Sequence, residues 1–175
     1  MHTLSLKPLY SRQEIAAKVE DLASRIDADY QGGEILMVAV LKGSVLFTSD
    51  LARAVKSPVL IDFMRVASYG AGTSSSGRIE VRKDLEMEIA GKDVLIVEDI
   101  IDSGLTLDAL RQRLVARHPA SLKICTLIDK TARREVSVPV DYVGFSLADG
   151  FIVGYGLDLD ERYRDLPDIH LVEMN

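Results

Sequence analysis

Three carboxylates, two hydroxyl groups and a glycine lie within a few residues of one another near the middle of the chain. Glu98 and Asp99 come directly after four apolar residues, and Asp102 follows three positions later. The segment is completed by Ser103, Gly104 and Thr106. Free backbone N–H groups at a strand-to-helix turn bind phosphate together with hydroxyl groups, whereas carboxylates suit sugar hydroxyls, a metal ion or a proton. The segment therefore predicts a ligand in which a phosphate is attached to a sugar.

The elements that must position these side chains alternate between strand and helix. Residues 94–97 suit a strand that is buried on both faces, and a helix is predicted from about Thr106 to His118. The remaining patterns predict strands at 35–41, 59–66, 78–82, 122–128, 142–145, 151–155 and 169–172, and helices at 12–28 and 45–55. This alternation predicts an α/β fold with a parallel sheet flanked by helices, in which ligands bind at the carboxyl ends of the strands.

Length, charge and cysteine content restrict the class of protein. A chain of 175 residues, 47% of them hydrophobic, predicts one domain with a substantial core. The formal net charge of −6 disfavours nucleic acid as a partner, and no apolar run approaches the ~18 residues of a membrane span. The single cysteine, Cys125, lies in an apolar run, so we expect a buried thiol and, without a signal-peptide pattern, a cytoplasmic protein. Arg133 and Arg134 are interpreted as a solvated charge pair.

Two further segments place polar groups beside predicted strands. Lys42 and Gly43 follow the first predicted strand, where a cation and free backbone N–H groups suit an anion. Ser68 and Tyr69 lie at the start of a small, polar stretch, 67–77, that can bury little apolar surface. We expect this stretch to be mobile, and loops of its length within a compact domain are often functional lids.

Residues 94–107 resemble the phosphoribosyl pyrophosphate (PRPP) signature of the type I phosphoribosyltransferases. Their Glu-Asp-Ile-Ile-Asp-Ser-Gly sequence is most similar to the 6-oxopurine branch of that family. The resemblance continues through four other stretches, in the order that the family has them. It implies a single phosphoribosyltransferase domain with a core at about 33–148. A small hood would be built from about 1–30 and 149–175.

The resemblance also implies how PRPP is held. Lys42 would lie in a pyrophosphate loop, in which a non-proline cis peptide often precedes the lysine. The 5-phosphate would bind the turn that starts at Asp102, and Arg164 would contact pyrophosphate. The implied PRPP and pyrophosphate contacts are Leu41, Lys42, Gly43, Glu98, Asp99, Ile100, Ile101, Asp102, Ser103, Gly104, Leu105, Thr106 and Arg164. The implied ligands of the cofactor, Mg²⁺, are Glu98, Asp99 and Asp158.

The purine pocket and the catalytic groups are implied in the same way. Lys130 would donate to the 6-oxo oxygen. Because an ammonium group is only a donor, it would favour an oxo group over the amino group of adenine. Asp102 would accept or relay a proton at the purine N7. Phe151 would stack on the purine ring. The implied purine contacts are Lys130, Phe151, Ile152 and Asp158, and the implied catalytic groups are Asp102, Glu98, Asp99, Ser68 and Tyr69.

The resemblance implies an enzyme of purine salvage that acts as a homodimer or homotetramer. It would transfer a 5-phosphoribosyl group from PRPP to N9 of hypoxanthine or guanine with Mg²⁺, and form IMP or GMP and pyrophosphate. One alternative is a phosphoribosyltransferase for xanthine or a pyrimidine, and the other is a PRPP-sensing regulator that binds nucleic acid. Lys130 and Phe151 favour the 6-oxopurine reaction, and the acidic net charge disfavours the regulator.

Overall fold

The structure is a computed structural model that describes residues 4–68 and 79–174. Within these ranges the chain forms nine strands and three helices. In chain order they are β1 (Leu4–Tyr10), α1 (Arg12–Tyr30), β2 (Ile35–Val40), α2 (Val45–Ala54), β3 (Val59–Ser68), β4 (Ile79–Lys83), β5 (Asp93–Ile101), α3 (Leu105–Val115), β6 (Ser121–Lys130), β7 (Tyr142–Leu147), β8 (Ile152–Val153) and β9 (Ile169–Met174).

A six-stranded sheet forms the centre of the fold, with the strand order β4-β3-β2-β5-β6-β7. All neighbouring strands in it are parallel except β3 and β4, which are antiparallel. The prediction of an α/β fold with a mostly parallel sheet and flanking helices is therefore confirmed. Because β2, β5 and β6 are adjacent and parallel, the segments that follow them leave the sheet at the same edge.

The apolar strands at the centre are covered on both faces. All six residues of β2 are buried, and residues 94–97 of β5 have no exposed surface. Leu95 belongs to a core cluster with α1 and α2, whereas Ile96 belongs to a second cluster with α3. Cys125 lies within the first cluster, as predicted, and burial raises the pKa of its thiol. Burial of each large apolar side chain contributes roughly 1.5–3 kcal/mol, which explains why a continuous apolar run occupies a central strand.

A second, three-stranded sheet joins the two ends of the chain. β1 pairs antiparallel with β9, and β9 pairs antiparallel with β8. No strand was predicted at β1. The predicted hood, about 1–30 and 149–175, contains these three strands and also α1, but α1 packs against the central sheet. Ser11 and Glu14 form a capping box at the start of this helix. We keep the division into core and hood as a proposal.

Several element bounds differ from the predicted ones in ways that concern the polar residues. β5 continues through Glu98 and Asp99, so these acids lie within a strand and not after it. Lys130 is likewise the last residue of β6. The strand predicted at 151–155 contains only the two residues of β8. Tyr69 and most of the stretch 67–77 lie outside the described residues, so the predicted lid stays a prediction. No helix in the described parts of the chain is long and apolar enough to cross a membrane.

The α3 helix is fastened to the edge of the sheet by an ion pair whose contribution depends on pH. Arg117, beyond the end of α3, donates to the carboxylate of Asp84, which follows β4, at 2.6 Å. Hydrogen bonds from Arg117, from the backbone N–H of Leu85 and from Arg113 lower the pKa of Asp84 to about 2. Because the unfolded-state pKa is about 3.9, the stabilisation is complete above that pH and is lost as the pH falls towards 2.

We predict that Asp84→Asn lowers the urea midpoint of unfolding at pH 7 and that the difference from the unmodified protein shrinks below about pH 4. Asp21→Asn is the matched control, because Asp21 contacts Arg25 only at 3.8 Å on the exposed side of α1. Urea titrations at pH 7, 5, 4 and 3 measure both effects. A difference that stays constant across this range would show that the Asp84 ion pair is not responsible.

Candidate active site

Three segments of the chain meet closely at the carboxyl edge of the central sheet. A Cβ atom placed on Gly43, after β2, would lie 1.8 Å from Oδ2 of Asp99 in β5. A Cβ atom on Gly156, after β8, would lie 2.0 Å from the carbonyl oxygen of Gly43. Only glycine permits backbone approaches of this kind. The two glycines therefore bring the predicted pyrophosphate loop, the central acids and the C-terminal loop into contact.

The loop after β2 presents a cation to this meeting point. The Leu41–Lys42 peptide is a non-proline cis bond. The ammonium Nζ of Lys42 lies 2.7 Å from Oε2 of Glu161, and the other oxygen of that carboxylate, Oε1, lies 3.3 Å from Nη2 of Arg164. One acid thus pairs with both cations that were predicted to bind pyrophosphate. Nothing in the local sequence around Glu161 indicates this contact, because Lys42 lies 119 residues away along the chain.

Arg164 also organises the C-terminal loop from within. Its Nη1 donates to the carbonyl oxygen of Gly156 at 2.7 Å, and its Nη2 lies 3.0 Å from Oδ1 of Asp158. The other oxygen of Asp158 accepts from the backbone N–H of Glu161 at 2.9 Å. The hydrogen bond from Lys42 lowers the pKa of Glu161, so this carboxylate is ionised at neutral pH. The cations Lys42 and Arg164 therefore alternate with the carboxylates of Glu161 and Asp158 in one set of ion pairs.

Glu98 and Asp99 form a tightly coupled pair of acids at the end of β5. The backbone N–H of Asp99 donates to Oε1 of Glu98 at 3.1 Å. Burial raises the pKa of Glu98 well above its ordinary value, and the negative charge of Asp99 raises it further. Burial also raises the pKa of Asp99. A nearby cation would stabilise the ionised form of this pair. Sugar hydroxyl groups would stabilise it too, by donating hydrogen bonds to the carboxylate oxygens.

The carboxylates suit Mg²⁺ in chemical type, since that ion prefers oxygen ligands and keeps several waters or substrate oxygens. No group of three or more acidic, histidine or cysteine side chains in the described residues is arranged as a metal site. Asp158 pairs with Arg164 and accepts a hydrogen bond from the backbone N–H of Glu161. The chain therefore offers hard oxygen donors for part of a coordination shell, and the remaining ligands would come from a phosphorylated substrate and water.

The turn between β5 and α3 encloses a small cavity at the end of a helix. Gly104 adopts a positive φ of 86° at the N-cap of α3, and its carbonyl oxygen accepts from the backbone N–H of Asp108 at 2.9 Å. The N-terminal N–H groups of a helix favour an anion. The cavity has a volume of about 260 Å³ and is lined by Val40, Val66, Glu98, Ile100, Ile101, Asp102, Ser103, Gly104, Thr106 and Leu107. Its lining includes both the predicted phosphate turn and the predicted ribose-binding acid.

The predicted purine-binding lysine and the predicted proton acceptor lie side by side. Nζ of Lys130 lies 3.4 Å from Oδ2 of Asp102 and donates to the carbonyl oxygen of Gly150 at 3.1 Å. The Lys130 side chain is only 8% exposed. The second oxygen of Asp102, Oδ1, is buried and accepts no hydrogen bond from the described residues. Next to Gly150, the residue Phe151 is 48% exposed.

Other predicted residues are less closely placed. Ile152 is buried in β8, where it pairs with Leu171, so its side chain belongs to the core. Ser68 is the last residue of β3 and is exposed, whereas Tyr69 lies outside the described residues. The interpretation of Arg134 as a solvated residue was wrong: its guanidinium is partly buried and donates to the carbonyl oxygen of Asp102 at 2.9 Å.

Comparisons with known proteins agree with this geometry. The model of the family described as "Phosphoribosyl transferase domain" matches residues 5–160. The hypoxanthine-guanine phosphoribosyltransferase of Mycobacterium tuberculosis is 49% identical over 164 residues, covering 90% of this chain and 81% of that protein. The hypoxanthine phosphoribosyltransferase of Salmonella typhimurium is 49% identical over 168 residues, covering 95% of this chain and 93% of the relative.

Solved structures are similar over almost the whole chain. A crystal structure of a hypoxanthine-guanine phosphoribosyltransferase from Bacillus anthracis has a TM-score of 0.91 and 45% sequence identity, and the match covers 98% of this chain and 99% of that one. A hypoxanthine phosphoribosyltransferase from Staphylococcus aureus has a TM-score of 0.93 and 42% identity, covering 95% and 91%. From its sequence relatives, its fold and the convergence of its polar loops, the chain belongs to the phosphoribosyltransferase family, in the hypoxanthine-guanine phosphoribosyltransferase branch.

Proposed function

We propose that this enzyme transfers the 5-phosphoribosyl group of PRPP to N9 of hypoxanthine or guanine, as a step of purine salvage. The products are IMP or GMP and pyrophosphate. The observation that carries the proposal is the pairing of Lys130 with Asp102, beside the cavity at the N-terminus of α3. The ammonium group and the unpartnered carboxylate oxygen suit the 6-oxo oxygen and the N7 position, which share one edge of a 6-oxopurine. The names of the similar enzymes support the same substrates.

Asp102 is proposed to handle the proton at the purine N7. In this reaction N9 forms a bond to carbon 1 of the ribose while the bond from that carbon to pyrophosphate breaks, and a proton leaves the base. The Oδ1 atom of Asp102 accepts no hydrogen bond from the described residues, and the side chain as a whole is 39% exposed, so the carboxylate can accept a hydrogen bond from the base. A positioned acid or base of this kind typically contributes ~10²–10⁴-fold to the rate.

Lys130 is proposed to select the 6-oxo group and Phe151 to stack on the ring. A buried ammonium group donates hydrogen bonds but accepts none, so the 6-amino group of adenine would leave its N–H unpaired. The exposed ring of Phe151 adjoins Gly150, whose carbonyl oxygen already accepts from Lys130. The backbone of Ile152 and the carboxylate of Asp158 are proposed to complete the purine site.

PRPP is proposed to bind across the three segments that meet at Gly43: the loop after β2, the end of β5 and the C-terminal loop. Its 5-phosphate binds the turn after Asp102 and the N-terminus of α3. Its ribose hydroxyls lie at Glu98 and Asp99. Its pyrophosphate binds Lys42 and Arg164, because a guanidinium matches phosphate oxygens in a fork. The backbone contacts proposed for these groups are those of Leu41, Gly43, Ile100, Ile101, Ser103, Gly104, Leu105 and Thr106.

Mg²⁺ is proposed as the cofactor, held by Glu98, Asp99 and Asp158 together with oxygens of the substrate. When bound, it would neutralise negative charge on the pyrophosphate leaving group. Ser68 and Tyr69 are proposed, from the family resemblance, to close over the reacting atoms and exclude water. Closure matters because carbon 1 becomes electron-poor as pyrophosphate departs, and water would compete with the purine.

A cytoplasmic homodimer or homotetramer is proposed as the working form. Apolar side chains are exposed on α2 and β3, where Val45 is 40% and Ile61 is 40% exposed. They line an apolar groove of about 500 Å³ together with Ala52, Val59 and Phe63. Exposed apolar patches of this kind are typical of association surfaces.

The first test concerns the base. We predict that the enzyme converts hypoxanthine and guanine but not adenine or uracil in a spectrophotometric assay with PRPP and Mg²⁺. Lys130→Met keeps the length of the side chain and removes the donor, so kcat/KM for hypoxanthine is expected to fall about 10- to 10²-fold, the range for losing a hydrogen bond to a charged group. Comparable turnover of adenine by the unmodified enzyme would exclude the proposed role of Lys130.

The second test concerns the proton. Asp102→Asn keeps the size of the side chain and removes the basic oxygen, so we expect kcat to fall ~10²–10⁴-fold. PRPP affinity, measured by isothermal titration, is expected to change far less because the backbone amides of the turn remain. If the variant loses PRPP binding and keeps its single-turnover rate, Asp102 supports the phosphate turn and is not the proton acceptor.

The third test concerns the metal. We predict that EDTA abolishes transfer and that excess Mg²⁺ restores it. A double variant, Glu98→Gln with Asp99→Asn, is expected to need a higher Mg²⁺ concentration for half-maximal activity, because both carboxylate charges are removed. Glu173→Gln, at an exposed position of β9, is the control for loss of an acid elsewhere. Full activity of rigorously metal-free enzyme would rule out the cofactor.

The fourth test concerns Glu161, which pairs with both proposed pyrophosphate-binding cations. Pyrophosphate must displace this carboxylate to reach Lys42 and Arg164, so Glu161→Gln is expected to bind Mg-pyrophosphate about two- to fivefold more tightly, as suits an exposed ion pair. Asp160→Asn is the matched control for the neighbouring charge. Weaker pyrophosphate binding by the Glu161 variant in isothermal titration would instead indicate that Glu161 contacts the metal–pyrophosphate complex.

A further inference from the structure

Arg134 connects two parts of the proposed site that belong to different strands. It lies in the segment after β6, and its side chain is 20% exposed. Its Nε donates to the carbonyl oxygen of Asp102 at 2.9 Å, and its Nη2 donates to the carbonyl oxygen of Lys130 at 3.3 Å. The same Nη2 atom forms an ion pair with the carboxylate of Asp129. A single guanidinium therefore contacts the backbones of both residues that are proposed to bind the purine edge.

These contacts occur where the sheet no longer holds the two strands together. The last paired residues of β5 and β6 are Ile101 and Asp129. Asp102 and Lys130 each lie one residue beyond that pair, so no backbone hydrogen bond of the β5–β6 ladder joins them. The guanidinium of Arg134 connects these two residues instead, because its separate N–H groups donate to the carbonyl oxygens of both Asp102 and Lys130.

We propose that Arg134 is a positioning residue that sets the separation between the carboxylate of Asp102 and the ammonium group of Lys130. That separation decides whether one 6-oxopurine contacts both groups through its N7 and its 6-oxo oxygen. The Nζ and Oδ2 atoms lie 3.4 Å apart in the structure. This inference rests on the proposed function, and it assigns Arg134 to recognition of the purine and not to binding of PRPP.

The neighbouring phosphate turn is held by other bonds. The carbonyl oxygen of Ser103 accepts from the backbone N–H groups of Glu135 at 2.9 Å and of Val136 at 3.2 Å. A Cβ atom on Gly104 would lie 2.7 Å from the carbonyl oxygen of Val136 and 3.1 Å from Cδ of Arg134, so the turn packs directly on this segment. The contacts of Ser103 and Val136 are main-chain contacts, and a glutamine at position 134 keeps a Cδ atom, so removal of the guanidinium leaves both kinds of contact in place. Loss of the guanidinium should therefore loosen Asp102 relative to Lys130 and spare the phosphate turn.

The experiment compares Arg134→Gln with Arg133→Gln. Arg133 is the adjacent arginine, is exposed and forms no ion pair with the other described residues, so it controls for loss of one positive charge. For Arg134→Gln we expect kcat/KM for hypoxanthine to fall about 10- to 10²-fold, as follows from small misplacements of reacting groups. The Kd for PRPP with Mg²⁺ should change less than about threefold. Arg133→Gln should match the unmodified enzyme in both measurements.

Two further variants separate positioning from folding. Arg134→Lys keeps the charge but has one donor group in place of a fork, so it should remain impaired towards hypoxanthine. Asp129→Asn removes the ion-pair partner and leaves both carbonyl contacts of Arg134. Its kcat/KM for hypoxanthine should therefore fall less than that of Arg134→Gln, and its Kd for PRPP should again change little. This second variant carries the test if Arg134→Gln does not fold, and thermal unfolding of each variant identifies that case.

The outcomes distinguish this inference from the proposed function. Equal losses for hypoxanthine and PRPP in both the Arg134 and Asp129 variants would mean that Arg134 supports the fold or the phosphate turn, and would overturn the inference. Unchanged kinetics of Arg134→Gln would overturn it as well. If the unmodified enzyme converts no 6-oxopurine although it binds PRPP, the proposed function fails and the role of Arg134 fails with it.

Discussion

The parallel pairing of β2, β5 and β6 is the constraint on which the site depends. Each strand is apolar and buried along most of its length, so it is stable only inside the sheet. Because the three strands point in the same direction, their polar ends emerge together at one edge. The chain then comes close enough for the backbone of Gly43 to contact Asp99. Hydrophobic burial therefore places the charged groups, although these groups contribute little to the burial themselves.

The charges at this edge fall into two groups with different surroundings. Lys42, Glu161 and Arg164 lie in loops and pair with one another, which suits a highly charged group that enters and leaves. Lys130 is almost completely buried, and one oxygen of the neighbouring Asp102 is buried and has no partner among the described residues. A buried polar atom without a partner is costly in a structural role, so its presence favours a role in binding. This difference supports pyrophosphate at the first group and the purine at the second.

The sequence predicted the central strands and the acids because buried parallel strands are continuous apolar runs and the polar residues follow them directly. It did not predict β1, which among the described residues pairs with β9 at the other end of the chain. It extended β8 too far because the chain turns at Gly154 and Gly156, both of which adopt positive φ. Arg134 was misread because its partners, Asp102 and Asp129, become neighbours only when β5 and β6 pair. Local patterns thus identify groups that follow strands, whereas contacts between loops depend on the assembled sheet.

The central claim is that Lys130 and Asp102 together read one edge of a 6-oxopurine. A crystal structure of the enzyme with IMP tests this claim most directly, because the nucleotide carries the base and the 5-phosphate on one ligand. We expect the phosphate at the turn after Asp102, the 6-oxo oxygen within hydrogen-bond distance of Nζ of Lys130, and N7 within that distance of the Asp102 carboxylate. A phosphate at the turn with the base directed away from both side chains would contradict it.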